Sequence, residues 1–376
     1  MNTKGVGERR TRPVLPLIRR EWQIGMAWPT TALFLAFGSG WLRDLSNPWW
    51  FAFLLVWLFG AILLSAFAVV RHAEALAELL GEPFGTLLLT LAVTGIEVAM
   101  IASVMYAGSG SAALARDAMF AVVMIVLNGM VGLSLVLGGL RHHEQTYNLQ
   151  GANAFLAVIV PLAVLGLVLP NYTTSSPGPT FSPLQAAFLI VMSLGLYAVF
   201  LGIQNVRHRG YFIASQDDAV HEGTATYSRT VHGLMLAAYL LPVVVMCKQL
   251  GKPIHHGIAV LHAPPALGGL LVAALILSPE SLSAIRAALA NQLQRSVNIL
   301  LGSVLATIGL TVPAVLTIGF LTGQAIVLGV DPVDTTLLLL TLAISTLTFA
   351  STRTNVLLGA VHLLLFLAYL MLVFEK

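Results

Sequence analysis

Two glutamates stand where a charged side chain is most expensive. Glu97 lies within the apolar run GTLLLTLAVTGIEVAMIASVMY (residues 85–106), and Glu280 within LGGLLVAALILSPESLSAIRAAL (residues 267–289). A carboxylate at bilayer depth costs several kcal/mol unless it is protonated, paired or bound to a cation, so each marks an ion or proton path. No Arg or Lys lies at comparable depth to neutralise either one. Each follows a hydroxyl and a helix-disturbing residue, in Thr94-Gly95-Ile96-Glu97 and in Ser278-Pro279-Glu280. Pro279 deprives the carbonyl of Leu275 of its helical hydrogen bond, and Gly95 leaves room for close approach of another segment. Carboxylates, hydroxyls and freed carbonyls are hard oxygen ligands, which suit Ca²⁺, Na⁺ or K⁺ and offer little to softer transition metals. With a cation bound, such carboxylates stay ionised. When it leaves, desolvation favours their protonated form, and the two fluxes are thereby coupled.

The elements that must position these groups are transmembrane helices. Of the 376 residues 57% are hydrophobic and only 9% charged, against roughly 25% charged in a soluble domain. The charges come in short bursts, separated by apolar stretches of about 18 residues or more, the length that crosses a hydrocarbon core of about 30 Å. The single cysteine, Cys247, excludes an internal disulfide framework and any multi-cysteine metal site. A net charge of +3 is too small to argue for nucleic acid. No phosphate loop, dinucleotide fingerprint or nucleophile–base arrangement is present, and no cofactor is expected beyond the transported ions themselves.

Eleven spans are predicted, at 24–42, 49–70, 85–106, 118–140, 152–170, 183–203, 231–247, 264–285, 297–321, 335–349 and 355–374. The basic N-terminus could head a signal peptide, but the run that follows holds Trp28 and Pro29 and no small-x-small cleavage site. It reads as a retained helix. Residues 71–83 (RHAEALAELLGEP) are too charged to span and are expected to lie as an amphipathic helix on the membrane surface. Residues 171–183 and 207–229 read as irregular loops. Arg43, Arg116, Lys248, Lys252 and Lys376 fall on one side, and the other fourteen of the nineteen Lys and Arg on the other. The positive-inside rule then puts the N-terminus in the cytoplasm and the C-terminus in the periplasm of a bacterial inner membrane.

The two glutamate spans run in opposite directions under this topology. Each is followed by a charged turn (Ala115-Arg116-Asp117, Gln294-Arg295-Ser296) and another long apolar span. The expected fold is an all-α polytopic membrane protein: a basic N-terminus with the first helix (1–48), one five-helix repeat (49–206), a cytoplasmic connection (207–229) and a second, inverted five-helix repeat (230–376). Secondary transporters of this architecture bind their substrate at the midplane, where the halves meet.

At these residues the sequence resembles a known family. RHAEALAELLGEPFGTLLLTLAVTGIEV (71–98) and LILSPESLSAIRAALANQLQRSVNILLGSVLATIGLTVP (275–313) look like the two α-repeats of the Ca²⁺/cation antiporter superfamily, and in particular of the bacterial ChaA-type calcium (sodium/potassium) ion–proton antiporters. GGLRHHEQTYNLQGANA (138–154) and STRTNVLLGAVHLLLFLAYLM (351–371) match as well, so the resemblance covers nearly the whole chain. It implies that Glu97 and Glu280 bind the exchanged cation and take protons. It implies further ligands in Thr94, Gly95 and Ser278, in Ser303 on the helix after the second glutamate, and in Asn128 on the matching helix of the first half. The sequence departs from the wider family's Gly-Asn-Ala-x-Glu signature, which leaves the choice among Ca²⁺, Na⁺ and K⁺ open. The acidic segment between the halves has shrunk to QDDAVHEG (216–223).

The reading is a secondary antiporter, not an enzyme, whose partners are inorganic cations, protons and the bilayer. Self-association is left open. The rivals are a Na⁺-driven exchanger without proton coupling, a cation channel and an intramembrane aspartyl hydrolase. The last is disfavoured because Asp44, Asp117, Asp331 and Asp334 all fall at span edges or loops. His232, His262 and His362 read as interfacial, and His142-His143 and His255-His256 as loop pairs.

Overall fold

Long apolar runs that cannot leave backbone groups unpaired in lipid fold as helices, and the computed structural model has eleven of them among its described residues. It describes residues 21–81, 84–107, 113–212 and 227–375. The N-terminal arginines ahead of residue 21 and the segment 216–223 lie outside the described residues. The helices are α1 (Ile24–Trp41), α2 (Pro48–Leu80), α3 (Phe84–Ala107), α4 (Leu114–His142), α5 (Leu149–Asn171) and α6 (Pro183–Arg207), then α7 (Arg229–Val260), α8 (Ala266–Leu289), α9 (Leu293–Thr322), α10 (Pro332–Thr348) and α11 (Val356–Phe374). Nine of these, all but α1 and α10, are long and apolar enough to cross a membrane. Their outward faces carry Val56, Leu184, Val191, Val199, Leu234, Leu357 and Leu364, an apolar exterior of the kind lipid covers.

The order long–medium–long–medium–medium from α2 to α6 recurs from α7 to α11. A π-helical turn at Ile125–Met130 in α4 has its counterpart at Thr307–Thr311 in α9. Equivalent members stand five places apart in chain order, so with each helix reversing the direction of the one before it the second set runs antiparallel to the first. The first members of the two sets, α2 and α7, pack along each other.

Two expectations are corrected. Residues 71–80 are the last turns of α2, not a separate surface helix. The residues AEALAELL favour helix, and the buried stripe of Ser65, Val69, His72, Ala73 and Leu76 continues through them. Arg71 is paired with Glu21. Likewise α7 does not end near residue 247: Met246, Leu250, Ile254 and Gly257 stay buried at helical spacing, while Lys248 and Lys252 face outward. His255 and His256 therefore belong to a helix. At 33 residues, α2 is about 50 Å long at 1.5 Å per residue and extends past the hydrocarbon core.

Short contacts lock the rest. Gln145–Thr146 and Arg353–Thr354 pair antiparallel, joining the α4–α5 and α10–α11 connections. The Gln145 amide donates to Ala288 O (2.8 Å) and Asn291 Oδ1 (3.0 Å) at the end of α8. The loop from Tyr172 to Ser182 is irregular as expected, and Pro179 O accepts from the N–H groups of Leu328 (3.2 Å) and Gly329 (3.1 Å).

Candidate ion-binding site

On α3, Thr86, Thr90, Thr94 and Glu97 recur every three or four residues. They form one polar stripe on an otherwise apolar helix. The same arithmetic puts Ser283 on the face of α8 that carries Glu280, and Asn298, Ser303 and Thr307 along α9. Packing turns the three stripes toward one cavity of about 230 Å³, room for an ion with part of its water shell.

α9 decides the arrangement. Ser303 Oγ donates to Glu280 Oε2 (2.6 Å), and Thr307 Oγ1 donates to Glu97 Oε2 (3.1 Å). Ser303 and Thr307 are one turn apart, about 6 Å along the axis, so a single helix presents both carboxylates to the same space. Glu97 is 4% exposed, and its Oε1, like the Thr94 hydroxyl, is buried with no hydrogen bond among the described residues. These two unsatisfied oxygens and the Glu280 carboxylate form a donor set that a hard cation would complete. Thr311, one turn beyond Thr307, faces Glu97 as well.

The cavity is one-sided. Away from the glutamates it is lined by Thr86 and Thr90 early in α3, Asn298 early in α9, Glu74 late in α2, Gln204 late in α6 and Ser283 late in α8. All of these lie toward the N-terminal side of the membrane. In the opposite direction Met100, Ile101, Val272, Leu275, Val312, Val315 and Leu316 pack into one hydrophobic cluster. Polar lining thus extends from the glutamates toward one end of the bundle, and apolar packing toward the other.

Four of the seven expected ligands meet at the cavity. Thr94, Glu97, Glu280 and Ser303 line the cavity; Gly95, Ser278 and Asn128 do not. Gly95 is exposed, with nothing within 4 Å of where a Cβ would stand, so none of the described segments approaches it closely. Ser278 Oγ turns back to Ala274 O (2.5 Å). Asn128 belongs to a buried network elsewhere: its amide donates to Thr341 Oγ1 (2.8 Å), its Oδ1 meets His362 Nδ1 (3.2 Å), and His362 Nε2 meets Thr348 Oγ1 (3.0 Å). His362 is therefore buried between α4, α10 and α11, not interfacial. The offset from Glu97 to Glu280 carries Asn128 onto Thr311, not Ser303, and carries Ser303 and Thr307 back onto Phe120 and Met124. The hydroxyl donors to the two glutamates thus come from one half only.

Two groups escaped the sequence reading. Thr307 was visible as the residue one turn after Ser303. Glu74 was assigned to a surface helix, yet it lines the cavity, acts electrostatically on Glu280 and is faced by Arg295. Its signal was the unbroken stripe from Val69 through Leu76.

An intramembrane acidic cavity, framed by two antiparallel sets of five helices, defines a polytopic ion transporter of the inverted-repeat class. The description "Sodium/calcium exchanger protein" matches residues 50–206 and 231–375, and the chain belongs to that family. It is 44% identical over 322 residues to the putative ionic transporter y4hA of Sinorhizobium fredii, covering 85% of this chain and 88% of that one. It is 40% identical over 361 residues to the sodium-potassium/proton antiporter ChaA of Escherichia coli, covering 94% and 97%. The solved structure of native YfkE superposes with a TM-score of 0.73 at 16% identity, over 94% of this chain and 100% of that one. A selenium-substituted form of YfkE is described as a Ca²⁺/H⁺ antiporter.

Proposed function

We propose that the protein is a secondary antiporter that exchanges Ca²⁺, Na⁺ or K⁺ for protons, with Glu97 and Glu280 shared by both. The observation that carries this reading is the pair of hydroxyls one turn apart on α9, which turn the buried Glu97 and the partly buried Glu280 toward one cavity. A cation in that cavity compensates both negative charges. When it departs, uncompensated carboxylates in a low-dielectric site take up protons. Either occupant leaves the site near neutrality, and the empty, doubly charged carrier is the disfavoured species. That asymmetry couples the two fluxes.

Glu74 supplies a third carboxylate on the access path. The open side is the cytoplasmic one under the Lys/Arg reading, so the cation is loaded from the cytoplasm and extruded. Alternating access then requires the hydrophobic cluster around Met100, Leu275 and Val312 to part on the far side while the cavity closes on the near one. Residues 49–206 and 230–376 serve as the two halves. The names of the relatives point to Na⁺ and K⁺ in one case and Ca²⁺ in the other, and the oxygen ligands accept all three.

Purified protein in liposomes with an imposed pH gradient is the direct test. Uptake of at least one of Ca²⁺, Na⁺ and K⁺ is expected to follow the gradient and to collapse when a protonophore dissipates it. Exchange that ignores the pH gradient at fixed Na⁺ would support the sodium-driven alternative, and electrodiffusive current without counter-flux a channel. For orientation, a reporter fused after Lys376 is expected to be active in the periplasm, and cytoplasmic activity there would reverse the assignment.

A further inference from the structure

A second cluster of titratable groups lies apart from the transport cavity, where the end of α2 meets the start of α7. His72 is 1% exposed and His232 2%, and their Nδ1 atoms are 2.9 Å apart. The partners settle the hydrogens. The backbone N–H of Tyr227, just ahead of α7, donates to His232 Nε2 (3.2 Å). His232 therefore carries its hydrogen on Nδ1 and donates it to His72 Nδ1. His72 in turn carries its hydrogen on Nε2, which faces Glu21 Oε2 at 3.2 Å. That oxygen also receives Arg71 Nη2 (2.5 Å) and the Tyr239 hydroxyl (3.0 Å), so Glu21 and Arg71 form a salt bridge. Among the described residues the groups facing the pair are Glu21 ahead of α1, Arg71 on α2, and Tyr239 and the Tyr227 ring beside α7.

With both imidazoles neutral, each of their two lone pairs already accepts a hydrogen bond. Among the contacts of the described residues, an added proton has no free position. Placed on His72 Nδ1, it meets the hydrogen of His232 Nδ1. If that hydrogen moves to His232 Nε2, it meets the N–H of Tyr227. We propose that the His72–His232 pair is a proton-binding site distinct from the transport carboxylates, whose occupation breaks the tie between Tyr227, α7 and α2. Val70 and Glu74, which line the transport cavity, lie two residues to either side of His72. Protonation of the pair therefore shifts the cavity wall and slows exchange as the pH on that side falls. This last step rests on the antiport reading; the proton site does not.

Hydrogen exchange at the Tyr227 amide, in the full chain in detergent, reads the site without reference to transport. After correction for intrinsic rates, protection in the native protein is expected to fall about tenfold or more from pH 8 to pH 6. In His232→Gln the amide oxygen can accept from Tyr227 but does not titrate, so protection should stay level. Constant protection in the native protein overturns the proposal whether or not the variant folds, and an equal fall in a folded variant overturns it too. In liposomes, the ratio of exchange at pH 6 to that at pH 8 is expected to rise severalfold in His232→Gln, and an unchanged ratio removes the effect on exchange. Should no cation be carried at all while the amide behaves as described, the antiport reading fails and the proton site stands.

Discussion

Replacing Glu97 or Glu280 by glutamine is expected to abolish pH-driven cation exchange while leaving the amount of protein in the membrane unchanged. Glutamine keeps nearly the same shape and one acceptor oxygen, so Thr307 and Ser303 can still donate as they do to the carboxylates. What is lost is the charge and the capacity to take up a proton. Removing one partner from a buried charge pair costs about 3 kcal/mol or more, about a hundredfold in cation affinity, and the proton leg loses one of its two carriers. Aspartate, which keeps the charge but withdraws it by one methylene, should fall between. Thr307→Val and Ser303→Ala keep both charges and lose one hydrogen bond to a charged group, worth about 1.5–3 kcal/mol. They should weaken apparent cation affinity by about tenfold or more while exchange persists at high cation concentration. Asn128→Ala, outside the cavity, should lower thermal stability and leave cation affinity near native. Gradient-driven uptake with parallel measurement of membrane content decides. Robust exchange by both glutamine variants would make these carboxylates structural and end the proposed coupling.

The second large effect is expected at Gly269, where valine should sharply reduce the yield of folded protein. A Cβ at this position of α8 would stand 2.7 Å from both Ala118 N and Asp117 C. Those are backbone atoms of α4, which cannot swing aside as a flexible side chain can. Valine thus forces apart the two helices whose contact fixes the depth of Glu280. Overpacking a close-packed interface costs about 1–3 kcal/mol when neighbours can adjust, and backbone against backbone lies at the upper end. Gly95→Ala is the matched control. It lies beside the site in sequence, yet nothing occupies the space around it, and a helix-interior glycine replaced by alanine is expected to gain up to about 1 kcal/mol. A lower melting temperature and loss of the monodisperse fraction for Gly269→Val, with neither for Gly95→Ala, is the expected pattern. Equal behaviour of the two would refute the close α4–α8 packing.

Sequence alone determined the membrane class, the eleven helices and the two glutamates, because each rests on a one-dimensional cost. A run of apolar residues has one stable state in lipid, and a carboxylate inside it is conspicuous whatever surrounds it. The periodic stripe Thr86-Thr90-Thr94-Glu97 was equally legible as a helix face. Tertiary packing decided what those faces meet. Charge density suggested that α2 stops at residue 70. It continues because Glu21 and His232, remote in sequence, satisfy Arg71 and His72. Neighbours of the glutamates in sequence suggested Gly95 and Ser278 as ligands, but two steps along a helix turn a side chain by about 200°, to the face away from the cavity that Glu97 and Glu280 share. Asn128 looked like the counterpart of Ser303, and only the packing of α4 against α10 and α11 shows its amide engaged by Thr341 and His362. Among the described residues, the hydroxyls that hold the carboxylates come from α9. A polar group's depth could be read along the chain, whereas its direction depended on which helices lay beside it.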